Sequence, residues 1–179
     1  MASKKLSELM SHAFADVHKD LKQKGHTHYW IKGGRGSTKS SFISLEILLG
    51  MMRDTERTNA VIFRRYGTTI RESVYEQMLW AVHALGVDYF WSAGVSPMQL
   101  IYQPTGQKVI FRGVDDATKV KSIKAGKGYI KYVWYEEVNE FEGPEKIRSL
   151  NQSILRGGDS FVVFYSFNPP KSTRSWINE

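Results

Sequence analysis

The stretch Tyr29–Ser41, YWIKGGRGSTKSS, constrains the fold more than any other part of the chain. Thr27 to Lys32 is rich in β-formers and is stopped by Gly33 and Gly34. From Ser40 the run SSFISLEILLGMMR is apolar on nearly every side, which predicts a buried helix. A strand, a glycine-rich loop and a helix in this order are the context that a phosphate-binding loop requires. The pattern G-x-x-x-x-G-K-[ST] is met at Gly33, Lys39 and Ser40, but Thr38 stands where a glycine is usual before the lysine. Such a loop works because successive backbone N–H groups wrap phosphate at a helix N-terminus, where the helix dipole favours anions. The expected cradle is therefore Gly33, Gly34, Arg35, Gly36, Ser37, Thr38, Lys39 and Ser40. Lys39 would reach the β and γ phosphates, and the Ser40 hydroxyl would bind Mg²⁺. Thr38 adds a Cβ at a crowded point, so the positive φ is expected at Gly34 or Gly36 instead. The plainer alternative is a glycine-rich turn before a helix, with an unrelated lysine.

The other segments alternate between helix and strand periods. Leu6, Leu9, Met10, Ala13, Phe14, Val17 and Leu21 recur at helical spacing, predicting one amphipathic helix that ends near Gly25. NAVIFRR reads as a strand, TIRESVYEQMLWAVHALG as a helix, and MQLIYQPTGQKVIFRG as a hairpin turning around Pro104 to Gly106. YIKYVWYEEVNEF is a buried strand ending in acids. A helix from Pro144 to Leu155 and a last strand, SFVVFYSFN, complete the series. Helices interleaved with short apolar strands give an α/β fold with a largely parallel sheet and helices on both faces.

Two further stretches carry chemistry. In YVWYEE the apolar run Tyr132–Tyr135 leads directly into Glu136 and Glu137. Adjacent carboxylates at a strand end suit divided labour, one toward a metal and one toward an attacking water. The alternative is a solvated acidic turn that also includes Glu140 and Glu142. In FVVFYSFNPP, Ser166 and Asn168 close a buried strand before Pro169 and Pro170, where they could sense a phosphate or orient water.

GGRGSTKS, YVWYEE and YSFNPP, in this order, resemble the ATPase domain of the tailed-phage terminase large subunit, the motor that packages DNA into a procapsid. The resemblance runs from about His26 to Pro170. It implies a P-loop NTPase of the RecA-like class with an added catalytic glutamate (ASCE): a three-layer α/β sandwich around a mainly parallel sheet. It further implies ATP and Mg²⁺ as ligands, Lys39 and Ser40 on phosphates and metal, Glu136 as the metal-side acid and Glu137 polarising water. Ser166 and Asn168 would couple hydrolysis to movement. Glu136 stands where aspartate is more usual, and an upstream P-x-x-Q adenine motif is not found, leaving His28, Tyr29 or Trp30 as base-stacking candidates. Double-stranded DNA, a portal protein, the terminase small subunit and further copies of the chain are the implied partners, in the host cytoplasm. Residues 1–25 would be an N-terminal helix, 26–170 the ATPase domain, and 171–179 the start of a connection to a nuclease domain outside this sequence. Rival readings are a RecA-like helicase or recombination ATPase, and a nucleotide-binding assembly module with little turnover.

Charge and composition fit a polyanionic partner. The 25 Lys and Arg against 18 Asp and Glu give a formal charge of +7. Lys119, Lys121, Lys124, Lys127 and Lys131 fall in one glycine-containing segment that could track a DNA backbone, or could be a solvated basic loop. Arg35 lies inside the phosphate loop, positioned to act on its own site or a neighbour's. Arg64, Arg65, Arg71, Arg112 and Arg156 are candidate trans donors, each with a surface salt bridge as the plainer role. The chain has no cysteine, which excludes disulfides and thiolate metal sites. No apolar run reaches membrane-spanning length, and no signal peptide is evident.

Overall fold

A computed structural model describes residues 5–178. Residues 1–4 of the expected N-terminal helix, and residue 179 of the expected connection, lie outside the described residues. The strands are β1 (His28–Lys32), β2 (Thr58–Arg64), β3 (Trp91–Val95), β4 (Met98–Tyr102), β5 (Gln107–Gly113), β6 (Tyr129–Glu136) and β7 (Val162–Phe167). They form one seven-stranded sheet in the order β1-β7-β6-β2-β5-β4-β3. The five strands from β1 to β5 in that order are parallel, and β4 and β3 extend the sheet as an antiparallel meander. The helices are α1 (Leu6–Leu9), α2 (Ala15–Gln23), α3 (Lys39–Arg53), α4 (Glu76–Ala84), α5 (Ala117–Lys121) and α6 (Pro144–Ile154).

Strand alternation divides the core into two. On β6, Tyr132 and Trp134 face one apolar cluster, while Ile130, Val133 and Tyr135 face the other. The first cluster is closed by α2, α3 and α4, the second by α6 and by Val120, Ile123 and Ala125 of the α5 region. Both faces of the central strands are thus covered, which is why they read as unbroken apolar runs. The result is the three-layer α/β sandwich with a mainly parallel sheet. Phe42, Ile43, Leu45, Ile47, Leu48 and Met51 of α3 are wholly or almost wholly buried. Each such side chain contributes about 1.5–3 kcal/mol, so the helix behind the glycine loop is firmly anchored.

Three elements differ from the sequence reading. The first helix is broken: Met10 is extended, and the Ser11 hydroxyl accepts from Ala13 N at 3.3 Å, restarting the chain as a short turn before α2. Serine favours such a cap over a helix interior. The helix expected from Thr69 opens as a 3-10 turn at Gly67–Thr69 and a π turn at Arg71–Tyr75 before α4. Strand β3 was not expected, because WSAGV carries Ser92, Ala93 and Gly94, weak strand formers held by pairing to β4. Near the end of the chain, the Trp176 indole donates to Phe141 O at 2.9 Å, so this tail packs back on the body. Among the described residues, no helix is long and apolar enough to cross a membrane.

Candidate active site

Parallel register brings the three sequence motifs to one edge. Lys32 lies level with Phe167, Glu136 with Ser166, and Phe63 with Tyr135. The residues that follow β1, β6 and β7 therefore meet at the carboxyl ends of the strands, where open α/β sheets bind ligands.

The loop is tied down by Gly33 N–H, which donates to Phe167 O at 3.2 Å, and by Ser37 N–H, which donates to Gly34 O at 3.3 Å. A Cβ on Gly33 would lie 2.6 Å from Ser37 Oγ, so the close approach requires glycine. Gly36 takes positive φ, at +78°, as expected. Thr38 corrects the rest of that expectation, because it is itself left-handed, at φ 60° and ψ 12°. Its carbonyl accepts from Phe42 N at 2.9 Å, so the chain must turn in the one residue before α3 begins. A left-handed non-glycine residue costs about 1–2 kcal/mol. Among the described residues only Lys24, Thr38 and Glu137 are non-glycine residues with positive φ, and two of the three lie at this edge. Strain of this kind gathers at functional sites.

Lys39 Nζ donates to Asn168 Oδ1 at 2.8 Å and to Gly34 O at 3.3 Å. Burial pulls its pKa down, while the nearby Glu136 and Glu137 carboxylates push it back up. Ser166 stands one step back in the sheet, 1% exposed, its Oγ accepting from Trp134 Nε1 at 2.8 Å. Asn168 therefore touches Lys39 directly, and Ser166 does not.

Glu136 ends β6 largely buried, and that burial pushes its pKa up to about 7 against the pull of Arg64. Arg64 Nε lies 2.8 Å from Glu136 Oε2, yet no N–H points at that oxygen, which is buried without a hydrogen bond. Glu137 leaves the strand in a left-handed conformation, at φ 52°, and accepts from Arg64 Nη2 at 2.5 Å. Arg64 is thus neither a surface salt bridge nor a trans donor. At 12% side-chain exposure it is a buried partner of both acids, because β2 pairs with β6 and the two strands end together. Glu140 sits beside them; burial, then its hydrogen bond to Glu137, raises its pKa. The one signal in the sequence for the role of Arg64 is a charged residue ending β2 as Glu136 ends β6.

Other candidates separate. Arg35 is exposed and has no hydrogen bond or ion pair among the described residues. Arg112 is half-buried, with Nη1 donating to Phe111 O at 2.8 Å and a buried Nε without a partner. Lys119 and Lys121 lie on α5, and Lys124 and Lys127 are exposed in the loop after it. Lys131 leaves that group: it is buried on β6 and paired with Asp54 at 2.7 Å, near the opposite edge of the sheet. Tyr29 is a core residue whose hydroxyl donates to Asp20 at 2.8 Å. His28 meets the Tyr165 hydroxyl at 3.0 Å, and Trp30 stacks on Tyr165 with ring centroids 4.2 Å apart.

The residues suit Mg²⁺ shared with a nucleotide. Mg²⁺ keeps water and takes one or two protein oxygens beside substrate phosphates. Glu136 supplies a buried oxygen lacking a donor, and Ser40 lies in the first turn of α3. Among the described residues, no group of three or more His, Asp or Glu could hold a metal by itself.

The family model described as "Phage terminase large subunit" matches residues 25–179. The chain belongs to the phage terminase large subunit family. Over its whole length it is 39% identical to the large terminase subunit of Bacillus phage SPP1, of which it spans 43%. The large terminase of bacteriophage HK97 superposes with a TM-score of 0.64 at 14% identity, over 90% of this chain and 34% of that one. The large terminase ATPase domain of Thermus phage P74-26 gives 0.57 at 13% identity, over 82% of this chain and 61% of that one. These structures establish the fold: this member of the terminase family has the architecture of a large terminase ATPase domain.

Proposed function

We propose that the chain binds ATP with Mg²⁺ at the carboxyl edge of its sheet and hydrolyses it, as the ATPase domain of a motor that moves double-stranded viral DNA into a procapsid. The observation that carries this reading is the meeting of Lys39, Asn168, Glu136 and Glu137 at one edge, with Ser37 Oγ and Glu136 Oε2 buried and lacking hydrogen-bond partners. Buried polar atoms without partners cost free energy unless a ligand satisfies them.

Backbone N–H groups of Gly34, Arg35, Gly36, Thr38, Lys39 and Ser40 cradle the phosphates, Gly33 and Ser37 hold the loop in shape, and Lys39 exchanges Asn168 for a phosphate oxygen. Glu137 takes the proton of the attacking water as the bond between the γ-phosphorus and the bridging oxygen of ADP breaks. Ser40 and Glu136 hold Mg²⁺, which supplies charge neutralisation on the phosphates. Asn168 reports the exchange to β7, with Ser166 and Trp134 behind it as the coupling path. Arg35, exposed at the loop, stabilises charge in the transition state of its own site or a neighbour's. Exposed Lys121, Lys124 and Lys127 supply sequence-indifferent phosphate contacts to DNA. Portal protein, small subunit and further copies of the chain are the assembly partners. Residues 26–170 form the ATPase unit.

The test is nucleotide binding and turnover in two variants. Lys39→Ala is expected to lose ATP binding. Glu137→Gln is expected to keep binding and to lose turnover by about 100-fold or more. Unchanged turnover in Glu137→Gln would sink the assignment.

A further inference from the structure

We propose that the amino edge of the sheet, at the far end of the strands from the nucleotide site, is the surface that faces the backbone of duplex DNA. This inference rests on the reading of the chain as a DNA motor and gives that motor a DNA side. In sheet order, β1, β7, β6, β2 and β5 each have a cation at or before their start: Lys24, Arg156, Lys127, Arg57 and Lys108. Lys108 is half-buried and the other four are exposed, and none of the five forms an ion pair among the described residues. Their placement is held by the fold. Tyr129 N donates to Arg57 O at 3.2 Å, and a Cβ on Gly128 would lie 1.7 Å from that same oxygen, so only glycine lets the segment carrying Lys127 close on Arg57. Arg156 and Lys121 line one cavity of about 350 Å³ that has no acid in its walls. Lys24 lines a second, larger cavity with Lys22 and Arg53, where Glu46 and Asp54 are already paired with His18 and Lys131. Glu56 and Asp159 are unpaired acids near Tyr129, too few to cancel the row. Neighbouring strands lie about 4.8 Å apart, so the five positions extend over about 19 Å. A single phosphate reaches one or two of them, whereas duplex DNA, with one charge per about 1.7 Å of its axis, meets the whole row. Lys and Arg contacts to phosphate oxygens carry no sequence information, which suits transport of any sequence. Strand β6, about 26 Å long, then joins the DNA side to Glu136 at the nucleotide side.

The experiment measures, across a salt series, binding of a labelled duplex DNA several helical turns long, together with ATP affinity. It compares the wild-type chain with Arg57→Ser/Arg156→Ser and with Lys171→Ser/Arg174→Ser, which removes the same charge from exposed residues beyond the carboxyl end of β7. Arg57→Ser/Arg156→Ser is expected to lower the slope of log affinity against log salt by about 1.8, two phosphate contacts at about 0.9 each, and to weaken binding about tenfold or more at low salt. Lys171→Ser/Arg174→Ser is expected to keep the wild-type slope, and ATP affinity is expected to stay within about twofold in both. Arg57→Lys/Arg156→Lys retains the charges and is expected to retain the slope, which separates lost contacts from a damaged fold. An unchanged slope in Arg57→Ser/Arg156→Ser, an equal loss in Lys171→Ser/Arg174→Ser, or an equal loss in Arg57→Lys/Arg156→Lys overturns the inference. So does polyglutamate that displaces the duplex at matched charge, which would assign the edge to an acidic protein. A wild-type chain that binds ATP but no duplex overturns the inference and leaves the ATPase site standing. One that binds duplex through this edge but no ATP overturns the site reading and leaves this surface standing.

Discussion

The two edges of the sheet treat buried charge in opposite ways. At the amino edge, Asp54 meets Lys131 Nζ at 2.7 Å, the Tyr132 hydroxyl at 2.7 Å and the Thr58 hydroxyl at 2.6 Å. Gln107 and Asn59 close the same edge with bonds to Met51 O, Thr58 O, Lys127 O and Tyr129 O. At the carboxyl edge, Arg64 is divided between two acids, Glu136 Oε2 and Ser37 Oγ accept no hydrogen bond, and Thr38 and Glu137 are left-handed. A fully satisfied buried network rigidifies the strands it joins, whereas buried polar groups left without a hydrogen bond are costly. The difference separates the two polar clusters by how completely they are bonded and not by residue type, since both contain carboxylates and a largely buried cation.

The comparison breaks most visibly if the amino edge is cut. Asp54→Ala is expected to cost about 3–5 kcal/mol in urea unfolding, because it strands the Lys131 charge in a buried site. ATP affinity of the folded protein should stay within about twofold, the sites being distant and sharing no partner. Loss of affinity would mean that the two edges are coupled.

The next effect is pH-dependent. Glu136 has a folded pKa raised from 4.5 to about 7, so the folded state holds its proton longer than the unfolded chain does. Stability from this group is full below the ordinary carboxylate range and is lost as pH rises toward 7. Without metal or nucleotide, wild type should lose up to about 3 kcal/mol over that window relative to Glu136→Gln. Parallel pH profiles for the two proteins would refute it.

The smallest effect sharpens the strain side of the comparison. Thr38→Gly is expected to raise stability by about 1 kcal/mol, or about 3 °C in Tm, by removing the left-handed cost. A fall in Tm would show that the Thr38 side chain, whose hydroxyl donates to Ser37 O at 2.7 Å, outweighs its backbone strain.

Much of the fold was legible because its signals are local. The β1 to α3 turn, the apolar β2, β6 and β7, and the hairpin of β4 and β5 follow from periodicity and turn residues. β3 was not legible, since its residues form a strand only when paired. The break at Met10 and Ser11 was hidden by an apolar spacing that continues through it. Within the site, the motif residues could be named from the chain, but their contacts could not. Lys39 meets Asn168 across 129 positions, and Arg64 meets Glu137 across 73.

The sequence by itself determined a glycine-rich loop between a strand and a buried helix, the acid pair at the end of an apolar strand, and an α/β fold with strands buried on both faces, because near neighbours set backbone preference and amphipathic period. Only the tertiary structure decided that Arg64 sits between the acids, that Lys131 is spent on Asp54, that Ser166 points at Trp134, and that Thr38 bears the turn itself. Those outcomes depend on parallel register between strands far apart in the chain, and register is set by packing of the whole core rather than by any one stretch.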